Sequence, residues 1–267
     1  MTFIGQKDYG LEASLGLVDG VTTINKFGEA LDCDSGDPTD IWDGANTSGG
    51  GAVGTKIWIP PTTARVHQLT SSNINDTLAG SGAQTVEVFY LPNWTSSEVS
   101  IMVDMNGTSD VALPSMVMIN RMEVMTSGVN GLNAGDITAT ADTDGTVTSA
   151  ILAGNNQTQQ CILGVPSTQK LRVKKFISEI VKGTGSSQRA DGVIYMMRDP
   201  ATNTVDNTQW TNKESFLLSE GNNPWTHDYG DIPKKFDGGC IVKIQITSNS
   251  NGTKAIGGFD AYLVDNL

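Results

Sequence analysis

Apolar and polar residues alternate one for one through much of this chain. Val86, Val88 and Tyr90 alternate with Thr85, Glu87 and Phe89, and Val99, Ile101, Val103 and Met105 alternate with Ser100, Met102 and Asp104. A period of two sends successive side chains to opposite faces, so each run predicts a strand. Pro92 to Ser97 supplies turn residues between them, and Asn106-Gly107 closes the second run. The pair predicts an antiparallel hairpin. Val86, Val88, Val99, Ile101 and Val103 should face a core, and Glu87, Ser100 and Asp104 should face solvent.

The same grammar recurs along the chain. Strands are predicted at Lys56–Pro61, Ala64–Ser72 (with a bulge), Met116–Thr126, Ile137–Ala141 and Val147–Leu152. Further on they are predicted at Gln159–Leu163, Lys170–Ile180, Val193–Arg198, Glu214–Leu218, Cys240–Thr247 and Gly258–Val264. Asp142 to Gly145 reads as a hairpin turn, and so does Asn249 to Gly252, which should pair the two closing strands. Asn46 to Gly54 and Gly183 to Asp191 read as loops, and Asn203 to Asp231 is a long, weakly patterned stretch. Strands at a spacing of about 8–15 residues, with little helical periodicity, predict an all-β fold: a two-sheet antiparallel sandwich, jelly-roll-like.

Residues 1–44 break the pattern. Leu11, Leu15 and Val18 suggest a turn or two of helix among glycines, and the Asp- and Gly-rich remainder predicts an irregular N-terminal arm. Its apolar groups, among them Phe3, Ile4, Leu17, Ile24, Phe27, Leu31, Ile41 and Trp42, are too many for a solvated tail. The arm should therefore clasp its own domain or a neighbouring subunit. Residues 45–267 would form the sandwich domain, with two sub-halves meeting near 155–170.

Composition narrows the function. Across 267 residues the formal charge is −12, which disfavours a nucleic-acid partner. Lys170, Arg172, Lys174 and Lys175 form the nearest approach to a basic cluster, and a solvated strand face accounts for them. No apolar run approaches the roughly 20 residues of a membrane helix, so no membrane partner is expected. Cys33, Cys161 and Cys240 are sparse, odd in number and lack a CxxC, which predicts buried reduced thiols. The first residues lack the build of a signal peptide, so synthesis and assembly in a cytosol are expected.

Candidate chemistry is thin. His67 and His227 have no second ligand at metal spacing, and the acidic runs at Asp32–Asp37 and Asp142–Gly145 lack a full calcium-loop pattern. Glu98, Asp104 and Glu123 read as solvated strand carboxylates. No catalytic residue, metal site or cofactor is expected, and the protein should not be an enzyme. Trp210, Trp225 and Tyr229 offer flat apolar faces that suit a sugar ring; a satellite core inside a long loop is the reading their setting favours.

Several segments together carry a family resemblance. Ile24–Gly44, Asn75–Leu91, Val103–Val111, Ile119–Met125, Asn133–Ala141 and, less distinctively, Gly257–Asn266 resemble a pattern in structural virion proteins of tailed bacteriophages. The resemblance implies a non-enzymatic particle component, docked in multiple copies on head or tail. Its partners would be other virion proteins and copies of itself. The alternative is a carbohydrate-binding, host-attachment module that takes a host-surface glycan.

Overall fold

The computed structural model describes residues 9–45, 56–60, 63–181, 188–200, 209–221 and 224–266. The expected loop at 46–54, most of that at 183–191, the first part of the 203–231 stretch and the apolar residues Phe3 and Ile4 lie outside the described residues. A short helix α1 (Tyr9–Ser14) precedes the strands β1 (Val21–Cys33), β2 (Pro38–Asp40), β3 (Arg65–Ser71), β4 (Ala83–Leu91), β5 (Val99–Asp104), β6 (Val111–Met116) and β7 (Met118–Ser127). There follow β8 (Ile137–Ala141), β9 (Val147–Ile151), β10 (Ile162–Val165), β11 (Gln169–Val181), β12 (Arg189–Arg198) and β13 (Trp210–Ser219). The last strands are β14 (Trp225–Asp228), β15 (Lys234–Asp237), β16 (Cys240–Ser248) and β17 (Thr253–Asp265).

All the strand ladders are antiparallel, as expected, but the strands divide among four sheets where one two-sheet sandwich was expected. The first sheet runs β1-β17-β11-β14, with β15 beside β14 on the same strand β11. The second runs β10-β16-β12-β13, with β2 also on β16. The third is β6-β3-β8-β9 and the fourth β5-β4-β7. Side chains of the first two sheets meet in one core around Phe176, Ile194, Ile244 and Phe259. Those of the third and fourth meet in another around Leu69, Val88, Met122 and Ile137. The second core belongs to a continuous insert, β3–β9, set inside the strands of the first.

The insert leaves from the middle of an edge. β2 pairs with Gln245–Thr247 of β16, and β10 with Cys240–Lys243 of the same strand. Between them Ile41 N–H donates to Ile244 O, and Cys161 N–H donates to Ile41 O at 2.8 Å. The chain thus enters the insert after Ile41 and returns at Cys161, with a hydrogen bond closing the neck.

Three expectations need correction. The expected irregular arm contains β1, paired over its length with β17 from Val21↔Val264 to Cys33↔Thr253. Its pattern is inverted: Lys26, Gly28 and Ala30 are buried while Phe27 is exposed. Gly28 is required there, because a Cβ would sit 2.5 Å from Cys161 N and 2.8 Å from Gln159 O. The closing strands β16 and β17 do not pair with each other; they lie in facing sheets, and the short turn at Asn249–Gly252 carries the chain across. Phe259, Ala261 and Leu263 do share the buried face of β17. Lys56–Pro60 is not a strand, because the Trp58 N–H goes to the Asp40 carboxylate at 2.9 Å instead of a ladder.

The expected antiparallel hairpin forms between β4 and β5, with Val86↔Val103 and Val88↔Ile101; Ser100 and Asp104 are exposed and Glu87 is half-buried. Val86, Val88 and Val103 are buried, Ile101 is half-buried, and Val99 is exposed because it begins an edge strand.

Candidate functional site

The three aromatics singled out by sequence do not converge. Trp225 opens β14 and stacks flat on Phe216 of β13, with ring centroids 3.9 Å apart. His227 lies edge-on to Trp225 and stacks on Tyr229 at 4.2 Å, and Tyr229 meets Phe176 edge-on. These rings form one half-buried stripe between the first two sheets. Trp210 is elsewhere. β13 carries an extra residue, Lys213, because Ile194 pairs with Glu214 but Tyr195 pairs with Asn212. A bulge of one residue reverses the faces beyond it, so Phe216 points into the core while Trp210 packs beside Tyr195 on the opposite side of the sheet.

Glu214 ties the stripe together. Its carboxylate accepts from His227 Nδ1, from Tyr229 Oη and, at 3.0 Å, from Lys234 Nζ. Burial alone would raise this carboxyl, but the hydrogen bonds from Tyr229, His227 and Lys234 outweigh it and hold the group below its ordinary value. Burial, followed by the hydrogen bond and charge of Glu214, pushes the Tyr229 phenol up. β13 belongs to the second sheet and β14 and β15 to the first, so this cluster clasps the two sheets at their edge. All three donors converge on the one carboxylate.

The side of the sheet that carries Trp210 is more receptive. A cavity of about 380 Å³ is lined by Pro38, Ile57, Tyr195, Trp210, Lys243 and Gln245. Lys243 lies 4.1 Å from the Trp210 ring centroid and donates to Asp40 at 2.7 Å, both side chains being almost wholly buried. Gln245 Nε2 donates to the other Asp40 oxygen at 2.9 Å. The result is an aromatic wall above a neutralised ion pair and an amide: apolar stacking area with a few fixed polar groups, the usual make-up of a small-molecule pocket. Sequence reading found Trp210 but missed Tyr195, Lys243 and Asp40, which β-pairing brings together from distant segments.

Among the described residues, no three His, Cys, Asp or Glu side chains are placed to hold a metal ion. His67 is buried and donates Nδ1–H to Arg65 O at 2.9 Å; burial lowers its pKa. The three cysteines are free and buried, and burial raises Cys33 to about 11 and Cys161 and Cys240 to about 12. Such thiols are not nucleophiles at neutral pH.

No family model matches the sequence. No curated protein is significantly similar to it. Solved structures that align with it include the VP2 subviral particle of infectious bursal disease virus, at 9% identity and a TM-score of 0.20, over 92% of this chain and 73% of that one. The Gx strain of the same virus aligns at 9% identity and a TM-score of 0.22, over 92% and 71%. Similarity at that level does not define a common fold.

Proposed function

We propose that this chain is a non-enzymatic structural component of a tailed-phage virion, docking in multiple copies on the head or tail through a jelly-roll-like body. The observation that carries the reading is the strand order of the first two sheets. Take β1, β10, β11, β12, β13, β14, β16 and β17 as strands one to eight. The first sheet then reads one-eight-three-six and the second two-seven-four-five. Each of the pairs one-eight, two-seven, three-six and four-five is complementary about the middle of the chain, as in a long hairpin rolled up on itself. We read that order as a double Greek key, which supports a jelly-roll-like body, an architecture used by viral capsid and lectin domains. The tailed-phage assignment rests on the sequence resemblance.

Exposed leucines in the N-terminal segment support docking. Leu11, Leu15 and Leu17 are 56%, 63% and 70% exposed within seven residues, ahead of the strand that anchors them. Peptide mass spectrometry of purified particles, followed by an electron cryomicroscopy map, tests the proposal. Stoichiometric presence with repeated density supports it, and absence from particles refutes it.

A second reading, glycan binding for host attachment, is favoured by the Tyr195–Trp210 cavity. It moves the ligand site away from Trp225 and Tyr229, each of which has one face taken, by Phe216 and by His227. Calorimetry against host-surface oligosaccharides, with Trp210→Ala as control, decides it: binding that vanishes in the variant supports the reading, and no heat with any glycan rejects it.

A further inference from the structure

We infer that Lys26 and Asn120 become joined by an intramolecular isopeptide bond, with Glu98 as the acid–base group for its formation. Lys26 is an inward residue of β1, only 7% exposed, and its Nζ donates to the main-chain oxygen of Asn120. Asn120 is itself 3% exposed. It is the extra residue of a bulge in β7, since Phe89 pairs with Arg121 and Tyr90 with Ile119. The bulge frees the Asn120 carbonyl from the ladder and re-aims its side chain.

The carboxamide of Asn120 is held at every polar atom. Its Oδ1 accepts from Gly164 N–H at 2.8 Å. Its Nδ2 donates to Glu98 Oε2 at 2.7 Å and to Gly164 O at 3.2 Å. A main-chain donor on the carbonyl oxygen and a carboxylate on the nitrogen are the two supports that amide substitution needs, one for the developing oxyanion and one for the leaving amine. Beside them lies a cavity of about 250 Å³ lined by Thr23, Phe89, Glu98, Asn120 and Arg121, among others. It gives the lysine room to swing from the main-chain oxygen to the side-chain carbon of the same residue.

Burial, with a smaller contribution from Arg121 and against the pull of Cys161 and Glu98, lowers the Lys26 ammonium to about 8. A desolvated lysine is a competent nucleophile near neutral pH. In the reaction the neutral amine adds its lone pair to the Asn120 Cγ, and the carbonyl electrons move to Oδ1, where Gly164 N–H stabilises them. Glu98 takes the proton lost by Nζ and delivers it to Nδ2. The Cγ–Nδ2 bond breaks, ammonia leaves, and an amide between Nζ and Cγ remains. Glu98 ends as it began, and no oxidant or reductant is consumed. The bond would staple the first strand of the roll to the inserted sheets.

The test is the intact mass of the purified full chain under denaturing conditions, with a proteolytic digest. The wild-type chain should be lighter than its sequence mass by one ammonia, and the digest should contain a branched peptide joining Lys26 to Asn120. Lys26→Met and Glu98→Gln should restore the full mass. Imide formation at Asn106-Gly107 or Asn251-Gly252 also releases ammonia, but it would persist in Lys26→Met and yield no branched peptide. A wild-type chain at full mass, or an ammonia loss without the branched peptide, overturns the proposal. A full cross-link in Glu98→Gln overturns the role given to Glu98. The wild-type measurement stands even if a variant fails to fold.

Discussion

Replacing Asp40 by alanine should cost about 3–5 kcal/mol of stability, the range for breaking a buried ion pair by removing one partner. Asp40 is fully buried and accepts three hydrogen bonds, from Lys243 Nζ at 2.7 Å, Trp58 N–H at 2.9 Å and Gln245 Nε2 at 2.9 Å. In the variant Lys243, 1% exposed, would keep the face of Trp210, and a desolvated cation–π contact, worth about 2 kcal/mol or more, offsets only part of the cost of an unpaired buried ammonium. The Trp58 N–H would also lose its partner, which costs about 1–3 kcal/mol where water cannot replace it. These losses overlap and do not add, because relaxation around the site serves both groups. Urea denaturation followed by tryptophan fluorescence and circular dichroism, at neutral pH, gives the number. The double variant Asp40→Ala with Lys243→Met completes the cycle. It should recover most of the loss, since an apolar replacement of both charges is often neutral. A single-variant cost under about 1 kcal/mol, or a double variant weaker than the single, would show that water reaches the pair and refute the reasoning.

Three further outcomes follow from the structure. In the native protein none of the three cysteines should react with a thiol-specific disulfide reagent at neutral pH, and all three should react in denaturant; one fast native thiol would contradict the burial seen at Cys33, Cys161 and Cys240. Glu214, whose folded pKa is depressed, adds stability that is present above its ordinary value of 4.5 and is lost as pH falls through the lower folded value. The gap in melting temperature between wild type and Glu214→Gln should therefore close on acidification, and a gap unchanged down to acid pH would argue against it. Deleting residues 1–17 removes α1 but should leave the β-sheet circular dichroism signal and cooperative unfolding intact and abolish incorporation into particles, whereas deleting 1–44 also removes β1 and β2 and should prevent folding; normal incorporation of the shorter truncation would exclude the exposed leucines as the docking element.

How far the sequence was legible depended on what each strand buries. Ile137–Ala141 was read to the residue because Ile137, Ala139 and Ala141 line a core while Thr138 and Thr140 do not. β1 was missed because its inward side chains are a lysine, a glycine and an alanine, while Phe27 faces out; hydropathy there has the wrong sign. The turn after β16 was read as a hairpin because Asn-Gly chemistry reports a reversal of direction and says nothing about which sheet receives the chain. Trp210, Trp225 and Tyr229 looked like one cluster until a single extra residue, Lys213, turned Trp210 to the other face. Glu98 was read as a solvated strand carboxylate, whereas it lies half-buried just before β5 against Asn120. Lys26 and Asn120 carried no signal, the three being 94 and 22 positions apart in sequence and joined only by tertiary packing.

The pairing of β1 with β17 also sets an order of events during synthesis. Val21 waits for Val264, about 240 residues downstream, before it has a ladder partner. The insert, in contrast, closes through near neighbours such as β4 with β5 and β8 with β9. Local pairing is fast and distant pairing slow, since loop closure must come first. The inserted sheets can therefore fold on the ribosome as they emerge. The first sheet completes only when β17 is released, and until then β1 and β11 stand as open edges that a chaperone or a second nascent chain can reach first.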